Sequence, residues 1–400
     1  MSKMGDREWG SGVYSLLSWF KADKVKDAKV LVAGAGALGN EVLKNLALFG
    51  VGNIYIVDFD TIEYSNLTRS VLFRESDANK GLYKAEIAAE KLKEINPQIN
   101  VHYICGRLNT NVGLGLYRRM DVVIGCLDSR IARLQLNRLC LRAGVPWIDG
   151  AIDNLMGNVK VFKHGISCYE CGLTDNAKAD ISHRLSCAGV ARRNENAGRI
   201  PTTPVVASIV GAIEVQEAMK LIHKTELEDG QFNSLLGRWF HYDGKFLNTK
   251  VYESSVFYED CPSHELWNDI VAIDSLGADS VLSNVFAIIK NKLGVHDIEI
   301  NLRNDRFVDK IITRNDEITF TPMLPESEIP NYIDTKRELY TRLRRDLNQN
   351  EYENIDESFP YQNLTLKQIG IPYWDVIQIT TEKGLHYIEL GADKDKYNIQ

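Results

Sequence analysis

Along the first half of the chain, short apolar runs alternate with stretches whose apolar positions recur every three or four residues. That alternation is the signature of βα units stacked into a mostly parallel sheet. Residues 29–33 read as a buried strand, 39–49 as a helix, 53–59 as the next strand, and 84–95 as a helix ended by Asn96-Pro97. Further strands are expected at 101–105 and 121–126, a helix at 130–143 stopped by Gly144, and a last strand from 146 to 149. The order predicts an α/β, doubly wound, Rossmann-like fold. From about 175 to 199 the periodicity fades and Asn, Gly, Ala and Arg accumulate, so a mobile loop of about 173–203 is expected before an apolar helix at 205–223.

A second pattern begins near Ala272: a helix through 281–293, alternating strands at 298–302 and 307–313, a polar acidic stretch from 334 to 357, and strands at 376–380 and 386–390. The boundary is therefore placed at 268/269, with a large N-terminal domain and a smaller α+β C-terminal one. No internal repeat is visible. Four hundred residues accommodate such a pair comfortably.

A net charge of -7 argues against a surface built to neutralise phosphate backbones, so nucleic acid is not an expected partner. The longest uncharged apolar stretch, 200–213, is interrupted by prolines, threonines and glycine and is too short to span a bilayer. Lys3, Asp6, Arg7 and Glu8 precede any apolar run, unlike a secretory signal, so a cytoplasmic location is expected. The seven cysteines then read as metal ligands, core residues or nucleophiles rather than disulfides; Cys105, Cys126 and Cys140 fall in regular elements and look like core.

Gly34, Gly36 and Gly39 form G-x-G-x-x-G directly after a strand and at the opening of a helix, where bare N–H groups and the helix dipole can hold phosphate. Asp58 ends the next strand, about 20 residues on, where a carboxylate can accept bonds from ribose hydroxyls. So far NAD and ATP are equally served. The following run, Val57-Asp-Phe-Asp-Thr-Ile-Glu-Tyr-Ser-Asn-Leu-Thr-Arg69, resembles the signature of the ubiquitin-activating and molybdopterin/thiamine-sulfur-carrier adenylating superfamily, the ThiF-MoeB group. The likeness runs from Val30 to about His264 and includes Asp60, Asn66, Arg69, Lys84 and the Asp128 of Gly-Cys-Leu-Asp. It implies that Asp58 binds ribose, that Asn66, Arg69 and Lys84 contact the triphosphate of ATP, and that Asp128 binds Mg²⁺. Such cations are what an attack of one anion on another requires. Where the family commonly has Asn-x-x-Arg-Gln-Phe, this chain has Ser70-Val71 after Arg69. Relatives also supply an arginine from an N-terminal helix, often across a dimer interface; Arg7 is the only arginine before the first strand, in dissimilar surroundings.

Cys168-Tyr-Glu-Cys171 needs two more ligands to close a tetrahedral site, and Cys261-Pro-Ser-His264 has the matching spacing. The alternative is a redox-active pair unrelated to the second. The resemblance implies a structural zinc at these places, here with histidine for the fourth cysteine. Cys187 stands alone in the irregular stretch ahead of Pro201-Thr-Thr. By similarity to enzymes that activate ubiquitin-like modifiers it is the expected thioester nucleophile, attacking an acyl-adenylate whose leaving group is AMP.

The end of the chain looks like the close of a β-grasp, ubiquitin-like domain, which in eukaryotic activating enzymes recruits the conjugating enzyme. No cysteine follows Cys261, so no rhodanese-like cysteine loop is expected, which favours conjugation over sulfur transfer. The reading that results is an activating enzyme, homodimeric, for a ubiquitin-like protein ending in Gly, using ATP, Mg²⁺ and Zn²⁺, in a pathway resembling the compact bacterial ones. A sulfur-carrier adenylyltransferase without an enzyme thioester and a catalytically silent modifier-binding subunit are the alternatives.

Overall fold

In this computed structural model the described residues are 13–186, 202–230, 232–254, 256–303, 305–313, 319–329, 332 and 347–397. They fall into two units by chain packing: Met1–Asn109 with Tyr117–Ile181 and Asn196–Leu266, and Thr110–Leu116 with Ser182–Glu195 and Trp267–Gln400.

The first unit is built on one eight-stranded sheet. Its strands are β1 (Lys29–Ala33), β2 (Asn53–Val57), β3 (Asn100–Ile104), β4 (Val122–Gly125), β5 (Trp147–Asp153), β6 (Met156–Phe162), β7 (Arg238–Asp243) and β8 (Asn248–Glu253). They lie in the order β3-β2-β1-β4-β5-β6-β7-β8. Pairing is parallel from β3 to β5 and antiparallel from β5 to β8. Buried parallel strands must be apolar on both faces, and Val30, Leu31, Val32, Ile54 and Ile56 are all fully buried. The helix Ala37–Phe49 presses Val42, Leu43 and Leu46 into the same core, and the helix Pro204–Ile222 adds Val206 and Val210. Because β2 lies on one side of β1 and β4 on the other, the strand order reverses there, and the carboxyl ends of β1 and β4 are where a doubly wound sheet takes its ligand.

The predicted α/β order holds for this unit, with two differences. The antiparallel extension from β6 to β8 lies outside that expectation. β6 alternates buried and less buried positions, β7 is half-buried throughout and β8 is mostly exposed, so none of the three has a continuous apolar run. Residues 175–186, read as the start of a mobile loop, form the helix Asp175–Ser186. Arg7 and Cys187 both lie outside the described residues.

In the second unit the helix Leu282–Leu293 buries Leu282, Val285, Phe286 and Ile289. A five-stranded mixed sheet runs Asn354–Ile355, Ile298–Asn301, Val376–Thr381, Gly384–Leu390, Val271–Ile273, the last pair parallel. A second sheet centres on Phe307–Thr313, which pairs with Leu347–Tyr352 inside the stretch read as merely polar and acidic. Residues 110–116 complete this unit: the Leu114 N–H donates to Asp375 Oδ1 at 2.8 Å and the Gly115 N–H to the Trp374 carbonyl at 2.9 Å.

Candidate functional site

Each glycine of the turn after β1 answers a different need. Gly34 has φ +96°, and a Cβ there would sit 2.5 Å from the Cys126 carbonyl oxygen. At Gly39 a Cβ would meet the Gly34 carbonyl oxygen at 2.0 Å, so the helix can approach the turn only without a side chain. Gly36 is different: nothing lies within 4 Å of its would-be Cβ. It is the N-cap of Ala37–Phe49 and supplies no side-chain cap, whereas Ser129 and Thr203 cap the helices Arg130–Ala143 and Pro204–Ile222 through their hydroxyls. The first-turn N–H groups of Ala37–Phe49 therefore have no intrahelical acceptor and no side-chain cap, an arrangement that suits an anion.

Asp58 closes one side of this turn. Its Oδ2 accepts from the Ala35 N–H at 2.7 Å and its Oδ1 from the Asp60 N–H at 2.8 Å. Burial raises the Asp58 pKa, and nearby Lys84 together with these two N–H bonds pulls the other way. Lys84 is buried, donates from Nζ to Asp60 Oδ2 at 2.7 Å, and is tied again through its own N–H to the Asp60 carbonyl at 3.0 Å. A lysine that reads in sequence as an ordinary helix-surface residue is thus a cation fixed beside two aspartates.

Asn66 and Arg69 are placed by local turns. The Glu63 N–H donates to Asn66 Oδ1 at 2.9 Å, and an Arg69 guanidinium nitrogen donates to the Ser65 carbonyl at 2.7 Å. Asp128 is exposed between β4 and the helix Arg130–Ala143. Arg133 donates to the Leu127 carbonyl at 2.6 Å and pairs with buried Asp149 at 2.9 Å, so an ion pair invisible to sequence reasoning holds the backbone just ahead of Asp128. Cys126 and Cys140 are buried as expected; Cys105 is exposed, because β3 ends at Ile104 and the chain turns outward after it.

The second cluster brings together all four residues that the cysteine spacing singled out. The ligand atoms of Cys168, Cys171, Cys261 and His264 lie within 4.8 Å of one another. Cys168 Sγ is 3.7 Å from the Sγ of both Cys171 and Cys261, and Cys171 Sγ is 3.4 Å from His264 Nε2. A tetrahedral zinc with Zn–S of about 2.3 Å and Zn–N of about 2.0 Å separates sulfurs by about 3.8 Å and sulfur from nitrogen by about 3.5 Å, so the donor set fits. Burial pushes the Cys261 thiol up to about 12 and raises that of Cys168, so thiolates form here only with a compensating cation. The helix Arg130–Ala143 clamps both knuckles. Arg138 holds Glu170 at 3.0 Å, Arg142 holds Glu265 at 2.9 Å, and Asn137 Oδ1 accepts from the Tyr169 N–H at 3.1 Å. The Phe257 ring stacks on His264 with centroids 4.9 Å apart.

The chain belongs to the ThiF family, whose model matches residues 15–263. It is 41% identical over 151 residues to SUMO-activating enzyme subunit 2 of Dictyostelium discoideum, which covers 37% of this chain and 22% of that one. Against the molybdopterin-synthase adenylyltransferase of Haemophilus influenzae it is 35% identical over 232 residues, 57% of this chain and 86% of that one. With the SAMP-activating enzyme E1 of Haloferax volcanii it shares 31% identity over 241 residues, 60% of this chain and 81% of that one. The match thus spans about a fifth of the SUMO-activating subunit but most of the two shorter proteins. No described helix is long and apolar enough to cross a membrane.

Proposed function

We propose that this chain adenylates the C-terminal Gly carboxylate of a ubiquitin-like protein and then holds it as a thioester on Cys187. One observation carries the first step: an uncapped glycine turn, Asp58 and the fixed Lys84–Asp60 pair stand together at the carboxyl ends of β1 and β2. In that step a carboxylate oxygen forms a bond to the α-phosphorus of ATP while the bond from that phosphorus to the bridging oxygen breaks, releasing pyrophosphate. Asp58 is assigned to the ribose, the turn N–H groups with Asn66, Arg69 and Lys84 to the phosphates, and Asp60 to the orientation of Lys84. Asp128 is the residue that would hold Mg²⁺, which when bound offsets charge on the triphosphate. Arg7, from the same or a second chain of a homodimer, is assigned to the outer phosphates.

In the second step the Cys187 thiolate attacks the acyl carbon and AMP leaves with the electron pair of the broken bond. Zinc is assigned a structural role at Cys168, Cys171, Cys261 and His264. The C-terminal unit, a helix on a mixed sheet, is taken as the β-grasp-like module that recruits a conjugating enzyme. The SAMP-activating relative supports this reading. A sulfur-carrier adenylyltransferase remains the second reading, favoured by the 86% coverage of the molybdopterin-synthase adenylyltransferase.

The experiment is ATP–pyrophosphate exchange with candidate ubiquitin-like proteins, followed by non-reducing gels. Exchange retained in Cys187→Ala with loss of a thiol-sensitive adduct supports the two-step scheme. Exchange without any adduct in the unmodified protein favours the sulfur-carrier reading, and no exchange with any partner removes both.

A further inference from the structure

Asn40 lies on the first turn of Ala37–Phe49 and is fully buried, although an asparagine in a helix ordinarily faces water. Its amide spans two elements. Nδ2 donates to the Ala35 carbonyl at 2.7 Å and the Gly36 carbonyl at 3.0 Å; Oδ1 accepts from the Leu72 N–H at 2.8 Å. The Gly36 carbonyl also takes the helical bond from the Asn40 N–H at 2.9 Å.

In a trans peptide the C=O and the following N–H point in opposite directions. Drawing the carbonyls of Ala35 and Gly36 toward the buried Asn40 amide therefore turns the N–H groups of Gly36 and Ala37 the opposite way, away from that amide. The third bond acts on the other element. Leu72 and Phe73 are buried and anchor the segment whose turns place Asn66 and Arg69, and the Leu72 N–H is held by the same amide that holds the glycine turn.

We infer that Asn40 is a positioning residue for the triphosphate: its side chain aims the N–H groups of the glycine turn and fixes their register to the segment bearing Arg69. This rests on the adenylation reading. The role is specific to phosphate, since the ribose is assigned to Asp58, which Asn40 does not touch.

The test is binding of Mg·ATP and of adenosine to the full chain, by displacement of a fluorescent ATP analogue, in the unmodified protein, Asn40→Asp and Asn40→Ser. Asp keeps the shape and the acceptor for Leu72 but turns the donor into an oxygen facing two carbonyls. Ser is neutral and can donate to one carbonyl only. Losing one or two buried bonds from the turn should weaken ATP by at least about tenfold in each variant, while adenosine affinity stays within about twofold. Melting temperature is followed in parallel, and Ser carries the test if Asp does not fold. ATP affinity unchanged in a folded variant, or ATP and adenosine weakened alike, overturns the inference. Failure of the unmodified chain to bind Mg·ATP overturns the adenylation reading instead.

Discussion

Gly150 and Glu214 lie face to face: a Cβ added at Gly150 would come within 2.5 Å of the Glu214 carboxyl. Glu214 is fully buried on the inner side of Pro204–Ile222, and Asp149, one residue from Gly150, is buried too. The single guanidinium of Arg133 pairs with Asp149. Burial first, and then the charge on Asp149, push the Glu214 carboxyl well above the ordinary glutamate range, with the nearby Arg133 guanidinium pulling the other way.

Above the ordinary glutamate value near 4.5 the unfolded chain releases this proton and the folded chain keeps it, so stability from this group falls as pH rises toward the folded pKa. Glu214→Gln keeps a neutral side chain of the same size and removes the ionisation available to the unfolded chain. Its melting temperature should exceed that of the unmodified protein by a few degrees at pH 7.5, and the gain should vanish near pH 4.5. A gain independent of pH would mean that Glu214 is ionised when folded.

Substitutions in the glycine turn should separate folding from binding. Gly36→Ala meets no atom and has an ordinary φ of -72°, so it should melt like the unmodified chain yet bind Mg·ATP at least about tenfold more weakly. Gly39→Ala, colliding with the Gly34 carbonyl, should lose about 2 kcal/mol or more of stability. Thermal melts and nucleotide titrations read the two effects.

Lys84→Ala should lower pyrophosphate exchange by about a hundredfold or more. Its pair with Asp60 is partly exposed, with side-chain exposures of 11% and 49%, so the melting temperature should move little. Equal loss of stability and exchange would make Lys84 a structural residue.

Elemental analysis should find one zinc per chain. His264→Cys should retain it, because four thiolates also suit zinc, whereas Cys168→Ala should lose it and lower the melting temperature by about 10 °C. A folded, metal-free and active preparation would remove the site.

Burial decides how much of the fold and of the site is legible in the sequence. β1 and β2 are buried on both faces and announce themselves as apolar runs, and the two Cys/His pairs are visible by spacing alone. β8, with five of six residues exposed, has no such run to show. Leu347–Tyr352 is a strand because Phe307–Thr313 is there to pair with it, a tertiary cause absent from its own composition. Asn40, Arg133 and Glu214 are polar residues on helices and read as solvated; only the packing of their neighbours shows that each is enclosed.

The Cys/His cluster brings together sulfurs 93 positions apart in the chain. It therefore works as the clasp of a bracelet: whatever lies between Cys171 and Cys261, Cys187 included, leaves and returns at one fixed point. The helix Pro204–Ile222 and strands β7 and β8 lie inside that span and are built into the sheet of β1 and β2, so a change of length comes at small entropic cost only in the connections between them, while one within the helix or strands is felt through the whole sheet.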